Sequence, residues 1–253
     1  MPASNTMFYL RPDENWAYGG SVAGVVAADY LQDWLVDGLP GRPVRSVGGS
    51  PGGLALTITN AAGPVSLIVV GHHNLIVPVT IGGDITATLT PAATRTPRGL
   101  TLNPFAILDT PVTTDTLTVT VSGNDVPEVI GELAAGVLRE MTPIMVDDAA
   151  YVITDFADPA RGVALSVLPY DRGLERRTLS GKQYYDGADL ADLIAWWQAQ
   201  RASSRPSVLI PDPDVNDAWF VNFQGFSYKP IGPKSRDLYL VQFTFAEYPR
   251  GRW

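Results

Sequence analysis

The chain has no cysteine among its 253 residues, which excludes disulfide staples, thiolate nucleophiles and Cys-ligated zinc or iron–sulfur centres. Charge is sparse at 17%, and 18 Lys and Arg stand against 26 Asp and Glu for a net charge of −8. A surface built to hold phosphate backbones needs clustered basic residues, so nucleic acid is not an expected partner. No apolar run approaches the roughly 20 residues that span a bilayer, so no membrane insertion is expected. The start, Met1-Pro-Ala-Ser-Asn-Thr-Met7, lacks a basic region followed by an apolar one, and the expectation is a protein made in a cytoplasm without a secretion signal. No glycine-rich loop ends in Lys-Ser/Thr, so nucleotide hydrolysis has no support and no cofactor is expected.

What is plentiful is apolar residue and punctuation. Hydrophobic residues make up 45%, enough for a core, and 24 Gly with 21 Pro separate short apolar segments. This is the rhythm of a β-rich chain. Leu54, Leu56 and Ile58 alternate with Ala55, Thr57 and Thr59, predicting a strand with one face on a core. Val65 to Val70 is apolar on both faces and predicts a strand buried on each side. Asp84 to Thr90 and Thr116 to Val121 alternate again, and Ala23 to Leu35 is the stretch of the first half with room for a helix. Short strands without crossover helices favour a β-sandwich or jelly roll.

After Pro143 the pattern restarts, with strand-like Tyr151 to Phe156 and Gly162 to Leu168, and Arg172 to Arg177 read as a solvated loop. Asp186 is a candidate N-cap for a helix carrying Asp189 and Asp192 in its first turns. Leu190, Leu193, Ile194 and Trp197 lie at i, i+3, i+4 and i+7, one amphipathic face. Pro206 stops the helix, Ser207 to Pro211 reads as a buried strand, and Ala218 to Phe226 and Leu238 to Tyr248 as two more around the loop Lys229 to Arg236. The fold class is therefore mainly β: a jelly-roll or β-sandwich module, then an α+β unit with one amphipathic helix against an antiparallel sheet.

Candidate chemistry is thin. Gly48-Gly-Ser-Pro-Gly52 spells a nucleophile elbow around Ser50, but a strand follows it where a helix is required, which favours a turn over a hydrolase. His72 and His73 are the only histidines; neighbours on a strand face opposite ways and do not readily share a metal. Asp212-Pro-Asp-Val-Asn-Asp217 begins like a calcium loop, but Asp217 stands where the turn needs Gly and Phe223 where a bidentate Glu belongs. Trp16, Tyr18, Tyr30, Trp34, Tyr184, Tyr185, Trp219, Tyr239 and Trp253 are the pool from which a sugar-stacking platform would be drawn, although core and subunit contacts are the commoner use. No residue is assigned a catalytic, cofactor or metal role.

Three blocks carry a family resemblance: Trp34-Leu-Val-Asp-Gly-Leu-Pro-Gly-Arg-Pro-Val-Arg-Ser46, the apolar run into Gly71-His-His-Asn-Leu75, and Ile130-Gly-Glu-Leu-Ala-Ala-Gly136. In that order they resemble the galactose-binding-like jelly roll found in tail-tip and baseplate proteins of long-tailed phages. The resemblance covers about residues 12 to 145, with residues 1–11 as an N-terminal arm. Residues 146–253 look, more loosely, like distal and minor tail proteins. The doubled histidine and the Thr/Pro/Arg-rich stretch Pro91 to Asn103 depart from the pattern. The resemblance implies a non-enzymatic virion component that assembles with itself, as a homo-oligomeric ring, and with neighbouring tail proteins. The long loops Pro91 to Asn103 and Pro230 to Arg236, the arm and the Trp253 terminus are the expected contacts. In it the His-Asn-Leu step ends a central strand and satisfies loop backbone. The alternative it leaves open is a carbohydrate-binding module that attaches to a host-surface glycan.

Overall fold

The structure is a computed structural model, and it describes residues 6–38, 42–47, 53–91, 102–122, 127–143, 145–159, 169–203, 205–232 and 237–248, with the side chains of 145–159 and 169–176 left aside. The strands are β1 (Met7–Leu10), β2 (Ser21–Gly24), β3 (Val44–Arg45), β4 (Leu54–Gly71), β5 (Val79–Gly83), β6 (Ala87–Leu89), β7 (Phe105–Val121), β8 (Val129–Ile130), β9 (Glu132–Gly136) and β10 (Arg139–Met141). They continue with β11 (Met145–Pro159), β12 (Pro169–Asp186), β13 (Ser207–Ile210), β14 (Trp219–Pro230) and β15 (Leu238–Glu247). One α-helix, α1 (Gly187–Ser203), and 3-10 turns at Gln32–Val36 and Pro213–Val215 complete them. The chain is mainly β, with antiparallel sheets.

The first sheet runs β2-β4-β7-β5-β6, with β9 joining β4 and β3 pairing β8 beside it. β4 and β7 pair along their length, with register shifts at Thr59/Gly63 and Val65/Leu67. Irregularities of this kind bend a strand, so two long strands serve both wings of one sheet. Leu54, Leu56, Ile58, Ile81, Leu117 and Val119 form its core with Leu35, Ile130 and Leu133. Val65 to Val70 is buried on both faces, as its composition predicts: Ile68 and Val70 enter this core, while Leu67 and Val69 enter another cluster with Leu10, Val208, Ile210 and Phe220.

That other cluster is the seam with the second sheet, whose order is β10-β1-β13-β14-β15-β12-β11. Residues 7–10, within the expected arm, form β1, bonded to β10 on one side and β13 on the other. On the far face lies α1. Asp186 caps it, its Oδ1 accepting from the Asp189 amide at 2.9 Å. Its deepest residues are Leu190, Leu193, Trp196 and Gln200, a stripe rotated from the expected one, and Trp197 is only half-buried. Trp196 stacks on Tyr9 with ring centroids 4.2 Å apart and donates from Nε1 to Ser207 Oγ. Gln200 is drawn in because β13 begins at Ser207, opposite Val221, and the β14 backbone beyond it has no strand on that edge to bond. Its amide donates to Val221 O and accepts from Phe223 N.

Two expectations are corrected. Ala23 to Leu35 holds no α-helix: β2 runs to Gly24, and a single 3-10 turn follows. Asp33 Oδ1 accepts from Val22 N and Gln32 donates to Gly24 O, so side chains tie this segment to β2. Gly24, at φ +148°, lies so close to β4 that a side chain would meet Ala55 O. Arg172 to Arg177 is not a loop but part of β12, paired with β11. Gly162 to Leu168 lies outside the described residues. No helix among them is long and apolar enough to cross a membrane.

Candidate functional site

The densest polar constellation among the described residues sits at the seam. Arg177, on β12, is buried, and its guanidinium forms a fork with Glu247 of β15, Nε to Oε2 at 2.6 Å and Nη2 to Oε1 at 2.7 Å. Its Nη1 pairs with Asp217, and the group lies over the Trp219 ring, 4.1 Å from the centroid. Burial alone would lower the arginine pKa; the two carboxylates override it and hold the charge firmly on. A planar five-donor fork suits this arrangement where a lysine would not.

Asp217 continues the chain, its Oδ1 accepting from Asn103 N at 2.9 Å. Asn103, fully buried, donates from Nδ2 to Ala218 O and accepts from His72 N at Oδ1. Asn216, in the left-handed region at φ 50°, accepts from Phe105 N and donates to Thr90 O. The 216–218 segment of the second sheet is thus pinned to the 102–105 segment of the first. Every partner is polar and most are buried, which is how a polar seam avoids the penalty of unpaired groups.

In the Asp212 to Asp217 run, Asp212 Oδ1 caps the short turn at Asp214 N, and Asn216 and Asp217 serve the seam. Sequence reasoning missed this use because the partners of Asp217, Arg177 and Asn103, lie 40 and 114 positions away.

His72 and His73 are both buried and lie just past the end of β4, not on a strand as the sequence suggested. His72, at φ 55°, packs edge-on to Phe220, with centroids 5.8 Å apart. His73 accepts from Leu75 N at Nδ1, which leaves Nε2 as the protonated nitrogen, donating to Leu102 O. Both its nitrogens serve backbone, so it is no general base. Asn74 donates to Pro127 O and accepts from Val129 N, satisfying loop backbone as the resemblance implies. Beside it Ser46 and Glu128 close a buried pair, with Oγ to Oε2 at 2.5 Å.

Of the aromatic pool, Trp16, Tyr18, Tyr185 and Trp219 are buried, and Tyr184 and Tyr239 half-buried. Tyr30 and Trp34 form a half-exposed edge-to-face pair, with centroids 6.1 Å apart, on the loop after β2. Ser50, Trp253 and residues 92–101 and 233–236 of the two long loops lie outside the described residues.

No family model matches the chain, and no curated protein matches it. Among solved structures it is similar to the chitosan-binding module 1 of a chitosanase/glucanase from Paenibacillus sp. IK-5, at 14% identity and a TM-score of 0.37 over 48% of this chain and 97% of that one. It is similar to the family 32 CBM of C. perfringens NanJ, in complex with galactose, at 16% identity and 0.37 over 53% of this chain and 99% of that one. A third is SpGH29, at 14% identity and 0.38 over 49% of this chain and 28% of that one. The mainly β class itself rests on this chain's own strand pairing.

Proposed function

We propose that this protein is a non-catalytic assembly component of the tail tip or baseplate of a long-tailed phage, working in the virion with copies of itself and with neighbouring tail proteins. One observation carries the assembly part. β11, 15 residues long, is the outermost strand of the seven-stranded sheet and pairs only with β12 among the described residues. A long edge presents a row of backbone donors and acceptors, which a monomeric protein normally shortens or covers. The phage context draws support from the sequence resemblance of residues 12 to 145 and 146–253. Light scattering on a sizing column with negative-stain images tests this. A closed ring supports the reading. A monomer that also fails to bind purified tail proteins overturns it.

A second reading, a carbohydrate-binding module for host-surface attachment, is favoured by the Tyr30–Trp34 pair, where an aromatic face lies on an exposed loop beside Leu31. Binding on a glycan array that is lost in Trp34→Ala supports it. Binding that survives that change, or no binding at all, removes this site.

A further inference from the structure

Only part of the β11–β12 hairpin belongs to the sheet. β12 pairs with β15 from Thr178 to Asp186, whereas residues 169–177 pair with β11 alone. Beyond Ile153 and Arg177, which face each other in register, the hairpin continues as a two-stranded ribbon with no third strand among the described residues. A lone two-stranded ribbon is marginal in water, so its direction depends on its root.

Arg177 is that root. It is the ribbon residue next to the sheet, and its side chain is held by Glu247, Asp217 and the Trp219 ring. Through Asp217 it meets Asn103, and through Asn103 the backbone of His72. Leu102, next along, is bonded by His73. The path from ribbon root to the end of β4 is thus a short series of direct, buried hydrogen bonds between the two sheets, set beside the apolar packing of the seam.

We propose that the Arg177–Asp217–Asn103 series is a conformational device that fixes the direction of the ribbon and couples it to the 72–75 and 102–105 loops of the first sheet. Whatever holds the ribbon then stiffens those loops, and loosening the loops frees the ribbon. This holds whichever partner the protein has, so it stands apart from the assembly reading.

Amide hydrogen exchange on the full chain tests it. In the uncharged variant Arg177→Met/Asp217→Asn/Glu247→Gln, exchange should rise about tenfold in residues 150–159 and 169–177 and also in 72–75 and 102–105, with the 79–89 hairpin unchanged. Asn103→Ala leaves the ion pairs in place and should still accelerate the ribbon, by about threefold, which keeps the test alive if the triple variant does not fold. Faster exchange confined to one of the two regions, or spread equally over 79–89, would overturn the proposal.

Discussion

Replacing Gly71 with alanine should damage the seam without touching any polar partner. Gly71 ends β4 where the strand turns into the buried histidines, and its φ is not in the left-handed region, so the backbone itself accepts a side chain. The obstacle is Phe220. An added Cβ would lie 2.8 Å from Cδ2 and 2.9 Å from Cζ of that ring, and closer still to Cε2. Ordinary contact begins near 3.4 Å, so the ring must withdraw by more than an ångström. Phe220 is fully buried among Leu10, Leu67, Val69 and Val208, with His72 against its edge, so it has no free direction. Overpacking of this kind costs about 1–3 kcal/mol, and a ring held on all sides belongs at the upper end. For a chain of this length a cost of about 3 kcal/mol lowers the melting temperature by about 6–12 °C. Differential scanning calorimetry reads it directly. The contact should also be specific: combining Gly71→Ala with Phe220→Leu should cost less than the sum of the two single changes, because the smaller side chain yields the space. A Gly71→Ala protein melting within a degree of the parent, or a strictly additive pair, would refute the packing argument.

Arg177→Met should destabilise by about 3–5 kcal/mol, because it leaves the Asp217 and Glu247 carboxylates buried without their cation; urea unfolding with a midpoint equal to the parent's would count against the buried fork. Burial pushes the phenols of Tyr9, Tyr18 and Tyr185 well above the usual value near 10. Their folded pKa values exceed the unfolded ones, so the stability they confer is intact below pH 10 and falls as pH rises beyond it. An absorbance titration of the ten tyrosines should therefore show these three ionising only with alkaline unfolding, and a smooth titration of all ten near pH 10 would contradict their burial. Asp186→Ala should cost about 1 kcal/mol by removing the cap on the Asp189 amide, and chemical denaturation showing no loss would argue against that cap.

Features written in local pattern were legible in the sequence. Val65 to Val70 declared a strand with no wet face, and Asp186 with the apolar period after it declared α1. Ser207 to Ile210, hemmed by Pro206 and Pro211, is a fully buried strand, as read. What escaped was decided by distant partners. Arg177 reads as one of several charges in a basic stretch until Glu247, 70 positions on, brings its carboxylate to the fork. Asp217 read only as the residue standing where a calcium loop needs Gly, because its partners, Arg177 and Asn103, are 40 and 114 positions away. The rotation of α1 toward Trp196 and Gln200 answers to Ser207 Oγ and to the β14 backbone beyond the end of β13, neither of which helical periodicity records. Asn74 was the exception: the resemblance placed a polar side chain at a strand end, and local geometry left it little else to bond.

The position of β1 has a consequence in time. Phe8 pairs with Ile210 and Tyr9 with Leu209, so an interior strand of the second sheet is made roughly 200 residues before one of its two neighbours. At about 5–20 residues per second of synthesis, the opening segment waits about 10–40 s for that neighbour. During that interval the first sheet can close, since its strands all lie between residues 21 and 136. The nascent chain thus carries a finished half and an apolar segment, Met7 to Leu10, that can pair with β10 along one edge while its other edge waits for β13.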